Sequence, residues 1–261
     1  MKALVSIITV NYNGLRDTCE MIDSFRSRET YPRYEIIVVD NGSRLPEAEE
    51  IQERYRDNPV PGGSLSGSPV SFPPVKVVRN INNGFAGGNN AGLKAAAGDY
   101  LFFINNDTLI KEPVLDALVR RIESDSPRNG GVSPMLKFAA CPDTLQYAGF
   151  TPLSPVTLRN AAIGFMQQDS PRFRIPRETA SLHGAAMMVS RRALQDAGTM
   201  SEVYFLFYEE LDWSVRIREQ GRRIVYDPRC TVFHKESATT GQQSPLRSYC
   251  LTRNRLLFAW R

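Results

Sequence analysis

The chain has 261 residues, of which 42% are hydrophobic and 23% are charged, and this balance excludes a protein that is disordered over most of its length. Its 32 Lys and Arg residues against 28 Asp and Glu residues give a formal net charge of +4, which is too small by itself to indicate binding to nucleic acid. The four cysteines have neither CxxC spacing nor a Cys/His pattern typical of zinc, so we expect reduced thiols in a cytoplasmic protein.

The first 125 residues alternate between predicted strands and predicted helices. Residues 5–10 form a short apolar run with no cleavage site after it, which favours a buried strand over a signal peptide. Three further runs, at 35–40, 75–78 and 100–104, also predict buried strands. Apolar residues recur at helical spacing at 15–25 and 114–122, a polar helix is predicted at 47–55, and the Gly- and Ala-rich segment 84–97 is followed by a helix stop at Gly98. This alternation predicts a parallel, right-handed, doubly wound sheet.

Two parts of the chain are less regular. Residues 57–74 contain five prolines, three glycines and four serines, which predicts a surface insertion without a catalytic role. Residues 133–182 give only weak strand signals. Clearer elements follow them, namely a strand at 185–189, helices at 191–197 and 210–220, and short strands at 224–226 and 231–234.

Three of the four early strands end in polar clusters. Asn11-Tyr12-Asn13 follows the first strand, Asp40-Asn41-Gly42-Ser43 ends the second, and Asn105-Asn106-Asp107 follows the fourth. Ligands of open parallel sheets bind beyond the carboxyl ends of the strands. A single such cluster is typical of a turn or helix cap, but three at one edge favour a binding site.

The glycine-rich segment at 83–92 argues against two common nucleotide-binding motifs. It is not GxGxxG and it follows the third strand, so a dinucleotide fold is disfavoured, and the sequence has no P-loop GKS or GKT. Its glycines allow close backbone approach at a helix start, where free N–H groups favour negative charge. Tight packing of helix on sheet is the alternative explanation.

The two histidines, His183 and His234, each lie at the end of a predicted strand. A lone histidine is more often structural than functional. A divalent cation held by a carboxylate and an imidazole would explain His234 paired with Asp107, and this mixed set suits Mn²⁺ better than Mg²⁺.

Residues 205–213 bring three carboxylates, Glu209, Glu210 and Asp212, into a strongly aromatic stretch at a helix start. Carboxylates at this position commonly serve as partners of the helix dipole. Apolar neighbours would also raise the pKa of a carboxyl group and make it a useful general base.

In this order, the motifs resemble the inverting GT-A glycosyltransferases of family 2, with the rhamnosyltransferase-like branch nearest. The resemblance covers about residues 4–240. The segments that carry it are 5–13, 38–43, 83–89 and 102–107 in the first half, and 184–187, 208–212 and His234 in the second. It implies an α/β GT-A (Rossmann-like) fold, with a mixed, mostly parallel sheet flanked by helices.

The resemblance also implies a role for each matching residue. Asn11, Tyr12 and Asp40 would lie along the base and ribose of the donor, with Asn83 and Asn89 in the same pocket. Asp107 and His234 would ligate the cation, either Mn²⁺ or Mg²⁺, and Glu210 would be the catalytic base. The other implied site residues border the donor or stand beside the base, and they are Asn105, Asn106, Gly184, Ala185, Glu209 and Asp212.

Two departures from the family pattern leave questions open. The metal motif keeps one carboxylate, which leaves metal dependence open, and Glu-Glu stands where Glu-Asp is frequent, which leaves the choice between Glu209 and Glu210 open.

We expect one domain over 1–261, with a nucleotide-sugar half at 1–125, an acceptor half at 126–245 and an amphipathic tail at 246–261. The expected activity is transfer of a sugar, with rhamnose as the candidate, from a nucleoside-diphosphate donor to a glycan or polyprenol-linked acceptor in bacterial surface polysaccharide synthesis. The alternatives are a nucleotide-sugar-binding protein with decayed catalysis and a nucleotidyltransferase. The Arg-rich aromatic tail is either a packed terminal helix or a contact with the inner face of the cell membrane.

Overall fold

The apolar runs of the first half form the predicted strands in a computed structural model that describes residues 2–56, 73–236 and 245–261. In chain order the elements are β1 (Val5–Asn11), α1 (Leu15–Arg28), β2 (Tyr34–Asp40), α2 (Glu47–Arg56), β3 (Val75–Arg79), α3 (Gly84–Ala95), β4 (Tyr100–Ile104), β5 (Thr108–Ile110) and α4 (Leu115–Glu123). The predicted strand–helix alternation is confirmed. Most of the predicted insertion at 57–74 lies outside the described residues.

The second half contains more strand than its sequence indicates. Its elements are β6 (Asn129–Phe138), β7 (Leu145–Tyr147), β8 (Arg177–Glu178), β9 (Ala186–Ser190), α5 (Arg191–Ala197), α6 (Glu209–Glu219), β10 (Arg223–His234) and α7 (Pro245–Ala259). The ten-residue β6 falls where only weak strand signals were expected. The prediction of two short strands near the end was wrong, because they form the single strand β10.

Both long strands contain a proline, which interrupts the strand pattern in the sequence. The register between β6 and β10 shifts between Asp227 and Thr231, so Pro228 lies in an irregular stretch of β10, and Pro134 of β6 faces Asp227. A residue without an N–H group is tolerated in a sheet interior where the ladder is interrupted in this way. Asp227 stabilises the irregular stretch, because its buried carboxylate accepts from Arg121 at 2.6 Å and from Arg229 at 2.7 Å.

One mixed sheet joins the two halves in the order β3-β2-β1-β4-β9-β6-β10-β5. The strands β1 to β4 are parallel to one another, as predicted. β9 pairs with β4 antiparallel, and β10 runs parallel to β6 and antiparallel to β5. The helix-flanked α/β sheet expected from the sequence is confirmed, with antiparallel strands added by the second half.

Alternate residues of the central strands enter two separate cores. Ile7 of β1 and Phe102 of β4 pack against α1 and α4, whereas Ile8 and Phe103 pack against α3 and α6. The second core contains the buried Trp213, whose ring meets Phe103 edge to face at 5.4 Å. The two cores cover the two faces of the sheet, and the polar clusters lie at its carboxyl edge. Within the described ranges, no helix is long and apolar enough to cross a membrane.

Candidate active site

Asn11 ties the ends of β1 and β2 to the start of α2. Its side-chain amide donates to Asp40 at 3.1 Å and to Glu47 at 2.8 Å, and Ser43 also donates to Asp40. Asn11 is completely buried, so its side chain orients Asp40 from below. The sequence did not identify Glu47 as part of this cluster, since its position in the first turn of a polar helix is typical of a dipole partner.

A buried threonine of α1 links this cluster to the end of β4. Thr18 donates to the side-chain oxygen of Asn11 at 2.7 Å and accepts from the side-chain amide of Asn106 at 3.0 Å. Gly14 leaves room for that amide, since a Cβ atom at this position would lie 2.6 Å from Asn106 Nδ2. Asp40 and the Asn105–Asp107 segment are therefore connected by one chain of hydrogen bonds at the same sheet edge.

The structure brings Asp107 and His234 together, although 127 residues separate them in sequence. Asp107 Oδ1 lies 3.0 Å from His234 Nε2, and both side chains are nearly buried. Antiparallel pairing of β5 with β10 creates this contact, because His234 faces Thr108 in the register. On the other side of the ring, Gln146 Oε1 lies 2.9 Å from His234 Nδ1 and fixes the orientation of the imidazole.

These two side chains fit a divalent cation that also binds phosphate. Together they offer one carboxylate oxygen and one imidazole nitrogen, and Gln146 Oε1 accepts an outer hydrogen bond from His234 Nδ1 of the kind that commonly orients a metal ligand. No cluster of three or more His, Cys, Asp or Glu side chains suited to a metal exists in the part of the chain that the structure describes. A cation held here would take its remaining ligands from phosphate oxygens and water, as Mg²⁺ and Mn²⁺ commonly do.

The segment Gly184-Ala185 connects the Asn105–Asp107 cluster to the acidic pair of α6. The backbone N–H of Asn105 donates to the Ala185 carbonyl at 3.0 Å. A Cβ atom built on Gly184 would lie 3.7 Å from the carboxyl carbon of Glu210. The two groups of residues that the sequence placed in separate halves therefore flank one short backbone segment.

Glu209 and Glu210 are desolvated carboxyl groups at the start of α6. Glu209 is 3% exposed, Glu210 is half-buried, and the Oε2 atoms of both have no hydrogen-bond partner among the described residues. Burial raises the pKa of Glu209 well above its ordinary value, and the neighbouring charge of Glu210 raises it further. Burial also raises the pKa of Glu210. A raised pKa makes such a carboxyl group a better proton acceptor than a solvated glutamate.

Replacing Glu209 by glutamine is expected to stabilise the protein at high pH. The folded state holds the Glu209 proton more tightly than the unfolded chain does. The contribution of Glu209 to stability is therefore complete below the ordinary pKa of 4.5 and is lost as the pH rises through the pKa of the folded state. In measurements from pH 5 to pH 8, the melting temperature of Glu209→Gln should therefore exceed that of wild type by more at the higher pH values than at the lower ones, by about 2–4 °C for each kcal/mol.

Thermal unfolding of both proteins across that pH range measures the effect. Glu219→Gln changes an exposed carboxylate at the other end of the same helix and serves as the matched control. A constant difference between Glu209→Gln and wild type over the whole range would contradict the assignment.

Asp212 is engaged in ion pairs. Its carboxylate accepts from Arg216 at 2.9 Å, from Arg261 at 3.2 Å and from the hydroxyl of Tyr204 at 3.1 Å, and the residue is 4% exposed. These contacts account for a carboxylate that fastens α6 to its neighbours. Among the three predicted acidic residues, Glu209 and Glu210 are therefore the better candidates for a base.

His183 lies beside this segment, and the sequence did not distinguish it from a structural histidine. Its ring stacks on Phe150 with 5.7 Å between centroids, and its Nδ1 accepts from the backbone N–H of Ala185 at 3.1 Å. Burial lowers the pKa of His183 to about 3, with a smaller contribution from His234. The neutral ring therefore contributes shape and a polar edge, and it does not contribute a positive charge.

The glycine-rich segment contributes a smaller number of available side chains than expected. Asn83 accepts from Asn80 at 2.8 Å and donates to Glu202 at 3.3 Å at the start of α3. Tyr12, which follows β1 and lies outside this segment, is half-buried. Asn89 is 1% exposed and donates to the Phe85 carbonyl within α3. Asn89, like Asn11, is therefore a buried residue whose hydrogen bonds support the sheet edge.

Solved structures show which fold this arrangement belongs to. GalNAc-T7 with UDP, GalNAc and Mn²⁺ matches with a TM-score of 0.68 and 18% identity, over 89% of this chain and 44% of that chain. A mannosyltransferase, PcManGT from Pyrobaculum calidifontis, in complex with GDP-Man and Mn²⁺, matches with a TM-score of 0.61 and 17% identity, over 92% and 59% of the two chains. The chain has the GT-A glycosyltransferase fold.

Sequence comparison then gives the family. The Glycosyl transferase family 2 profile matches residues 6–198, so the chain belongs to that family. O-antigen biosynthesis protein RfbC of Myxococcus xanthus is 25% identical over 84% of this chain and 16% of its own length. The uncharacterized glycosyltransferase EpsJ of Bacillus subtilis (strain 168) is 30% identical over 48% of this chain and 32% of its own. The matched region thus covers less than half of each of these relatives.

Proposed function

We propose that the chain is an inverting glycosyltransferase that transfers a sugar from a nucleoside-diphosphate donor to a hydroxyl of a glycan or polyprenol-linked acceptor. One observation carries the proposal. The desolvated carboxyl group of Glu210 lies against Gly184, and the next residue, Ala185, is hydrogen-bonded to the Asn105–Asp107 segment. An acidic group and a phosphate-binding edge thus flank the same short segment, as a single-displacement transfer requires.

The donor would bind along the edge formed by β1, β2 and α3. Tyr12, Asp40 and Asn83 are the side chains we assign to the base and ribose, with Asn11 and Asn89 supporting them from below. The structural neighbours that hold UDP or GDP-Man support a nucleotide in this role. Asn105, Asn106 and Ala185 would border the diphosphate and the sugar.

Asp107 and His234 would hold a divalent cation, with Gln146 orienting the imidazole. When bound, the cation would stabilise the charge that develops on the leaving diphosphate. The Mn²⁺ bound by both structural neighbours supports this assignment.

Glu210 would act as the general base. The acceptor hydroxyl oxygen bonds to the anomeric carbon while the bond from this carbon to the phosphate oxygen breaks. The bonding electron pair leaves with the nucleoside diphosphate, and the hydroxyl proton passes to the Glu210 carboxylate. Because the attack comes from the side opposite the leaving group, the anomeric configuration inverts. Glu209, which is more deeply buried, would stay protonated while Glu210 is ionised, because two neighbouring carboxylates repel each other.

Two further indications suggest the donor sugar and the pathway. The motifs resemble the rhamnosyltransferase-like branch, and RfbC of Myxococcus xanthus is named as an O-antigen biosynthesis protein. We therefore propose dTDP-rhamnose as the first donor to test and bacterial surface polysaccharide as the product. The second candidate, a nucleotide-sugar-binding protein without turnover, is favoured by the single carboxylate of the metal motif.

Thermal unfolding with a panel of nucleotide sugars tests the proposal. A ligand that binds only the folded state raises the melting temperature, so one donor should do so with Mn²⁺ and lose the effect with a chelator. Release of nucleoside diphosphate with that donor and an acceptor then separates an enzyme from a binding protein. If no nucleotide sugar shifts the melting temperature, both candidates are contradicted.

A further inference from the structure

The segment that leads into α6 has an unusual backbone. Phe205, Phe207 and Tyr208 have positive φ angles of 61°, 67° and 77°, although none of them is glycine. Phe205 is the centre of a γ-turn, in which the N–H of Leu206 donates to the Tyr204 carbonyl at 2.7 Å. Such conformations are unfavourable for residues other than glycine and persist only when their surroundings hold them.

The start of α3 holds one side of this segment. The backbone N–H of Phe85 donates to the Phe205 carbonyl at 2.7 Å. Gly84, with a φ of +87°, allows this approach, because a Cβ atom there would lie 2.1 Å from the same carbonyl oxygen. The segment is thus connected directly to the helix that follows Asn83.

The terminal helix α7 holds the other side through one buried amide. Asn254 is completely buried, and its Nδ2 lies 2.8, 2.7 and 2.8 Å from the carbonyl oxygens of Tyr204, Leu206 and Phe207. An amide has two N–H groups, so at least one hydrogen is shared between two of the three acceptors. A single side chain therefore satisfies three carbonyls of a strained turn.

Other residues of α7 contact the same region. Arg253 donates to the Val203 carbonyl at 2.9 Å, Arg261 reaches Asp212, and Arg247 lies over the ring of Phe207 at 4.9 Å. Three of the four arginines of the tail thus contact the segment at 203–212. These contacts favour the packed helix among the two expectations for the tail, and membrane contact remains a prediction.

We propose that Asn254 is a positioning residue that fixes the segment at 204–208 and thereby directs Glu210 toward the acceptor hydroxyl. This inference rests on the proposed role of Glu210. Because Asn254 is completely buried, its effect would pass through Glu210 and not through a contact of its own with the substrate. Glu210 lies only two residues after Tyr208, the last residue with a positive φ angle. A small rotation of the segment would therefore displace the carboxyl group of Glu210.

The kinetic test compares variants of different size and chemistry. Asn254→Asp keeps the shape of the side chain but replaces its NH₂ donor with a second acceptor oxygen. Asn254→Gln keeps the NH₂ donor on a longer side chain. We expect Asn254→Asp to lower kcat at least about tenfold with the donor KM within about twofold, and Asn254→Gln to retain more activity than Asn254→Asp. Equal or better activity in Asn254→Asp would overturn the proposal.

The matched control is Asn129→Ala. Asn129 is also a buried asparagine, and it donates to the Arg121 carbonyl at 2.8 Å at the end of α4, away from the proposed site. It should lose stability without a comparable fall in kcat. If kcat falls equally in Asn129→Ala and Asn254→Asp, the effect reflects general stability and the proposal is overturned.

Hydrogen–deuterium exchange separates this inference from the proposed function. The amides of residues 204–210 should exchange at least about tenfold faster in Asn254→Asp than in wild type, and those of Asn129→Ala should not change there. Faster exchange without turnover in any wild-type assay would support the anchoring while contradicting the glycosyltransferase proposal. Unchanged exchange at 204–210 would overturn the anchoring itself.

Discussion

Replacing Glu210 by glutamine is expected to lower turnover by about 10²–10⁴-fold while the affinity for the donor stays within about twofold. The amide has nearly the same size as the carboxylate but accepts no proton from the acceptor hydroxyl. Release of nucleoside diphosphate measures turnover, and calorimetric titration of the donor with Mn²⁺ measures affinity. A variant with normal turnover would contradict the assignment of Glu210 as the base.

Two neighbouring variants make this prediction specific. Glu209→Gln is expected to retain more activity than Glu210→Gln, because Glu209 is 3% exposed whereas Glu210 lies against Gly184. Asp212→Asn is expected to lower stability more than turnover, because it weakens ion pairs with Arg216 and Arg261. A larger loss of turnover in Glu209→Gln than in Glu210→Gln would assign the base to Glu209.

Replacing Asp107 by alanine is expected to abolish metal-dependent binding of the donor. The Asn105–Asp107 motif has one carboxylate, so the variant leaves His234 as the remaining proposed ligand of the cation. Loss of outer-shell partners alone commonly costs 10–100-fold in metal affinity, so removal of the carboxylate should cost at least about 100-fold. Titrations of the donor with and without Mn²⁺ measure the loss.

The control for this experiment is Asp116→Ala. Asp116 is an aspartate of α4 that pairs with Lys2 at 2.6 Å and with Arg120 at 2.7 Å, and neither partner belongs to the proposed site. It should bind the donor as wild type does. If Asp107→Ala and wild type respond equally to Mn²⁺, then the cation either binds elsewhere or plays no part in donor binding.

The sequence predicted those parts of the fold that depend on local patterns. The apolar runs of β1, β2 and β4 are continuous, and each ends in a polar cluster, so both the parallel half and its polar edge could be located. β6 and β10 were harder, because Pro134 and Pro228 interrupt the pattern and are tolerated only through an irregular pairing between the two strands. That pairing is a long-range property that neither segment reveals alone.

The same distinction holds for the site. Asp107, His234 and Glu210 have chemically distinctive side chains and stand in motifs that resemble a family, so they could be proposed from sequence. Thr18 and Gln146 could not, because a threonine within a helix and a glutamine in a weak strand gain a role only from their distant partners. Asn254 is similar, since its three acceptors lie about fifty residues away in sequence.

A crystal structure of the protein with Mn²⁺ and a nucleoside diphosphate would test the central claim most directly. We predict an anomalous scattering peak for manganese within ligand distance of Asp107 and His234, with the nucleoside along the ends of β1 and β2 and the diphosphate facing the Glu210 side of Gly184. Nucleotide bound at another surface, or a manganese peak remote from both side chains, would contradict the account.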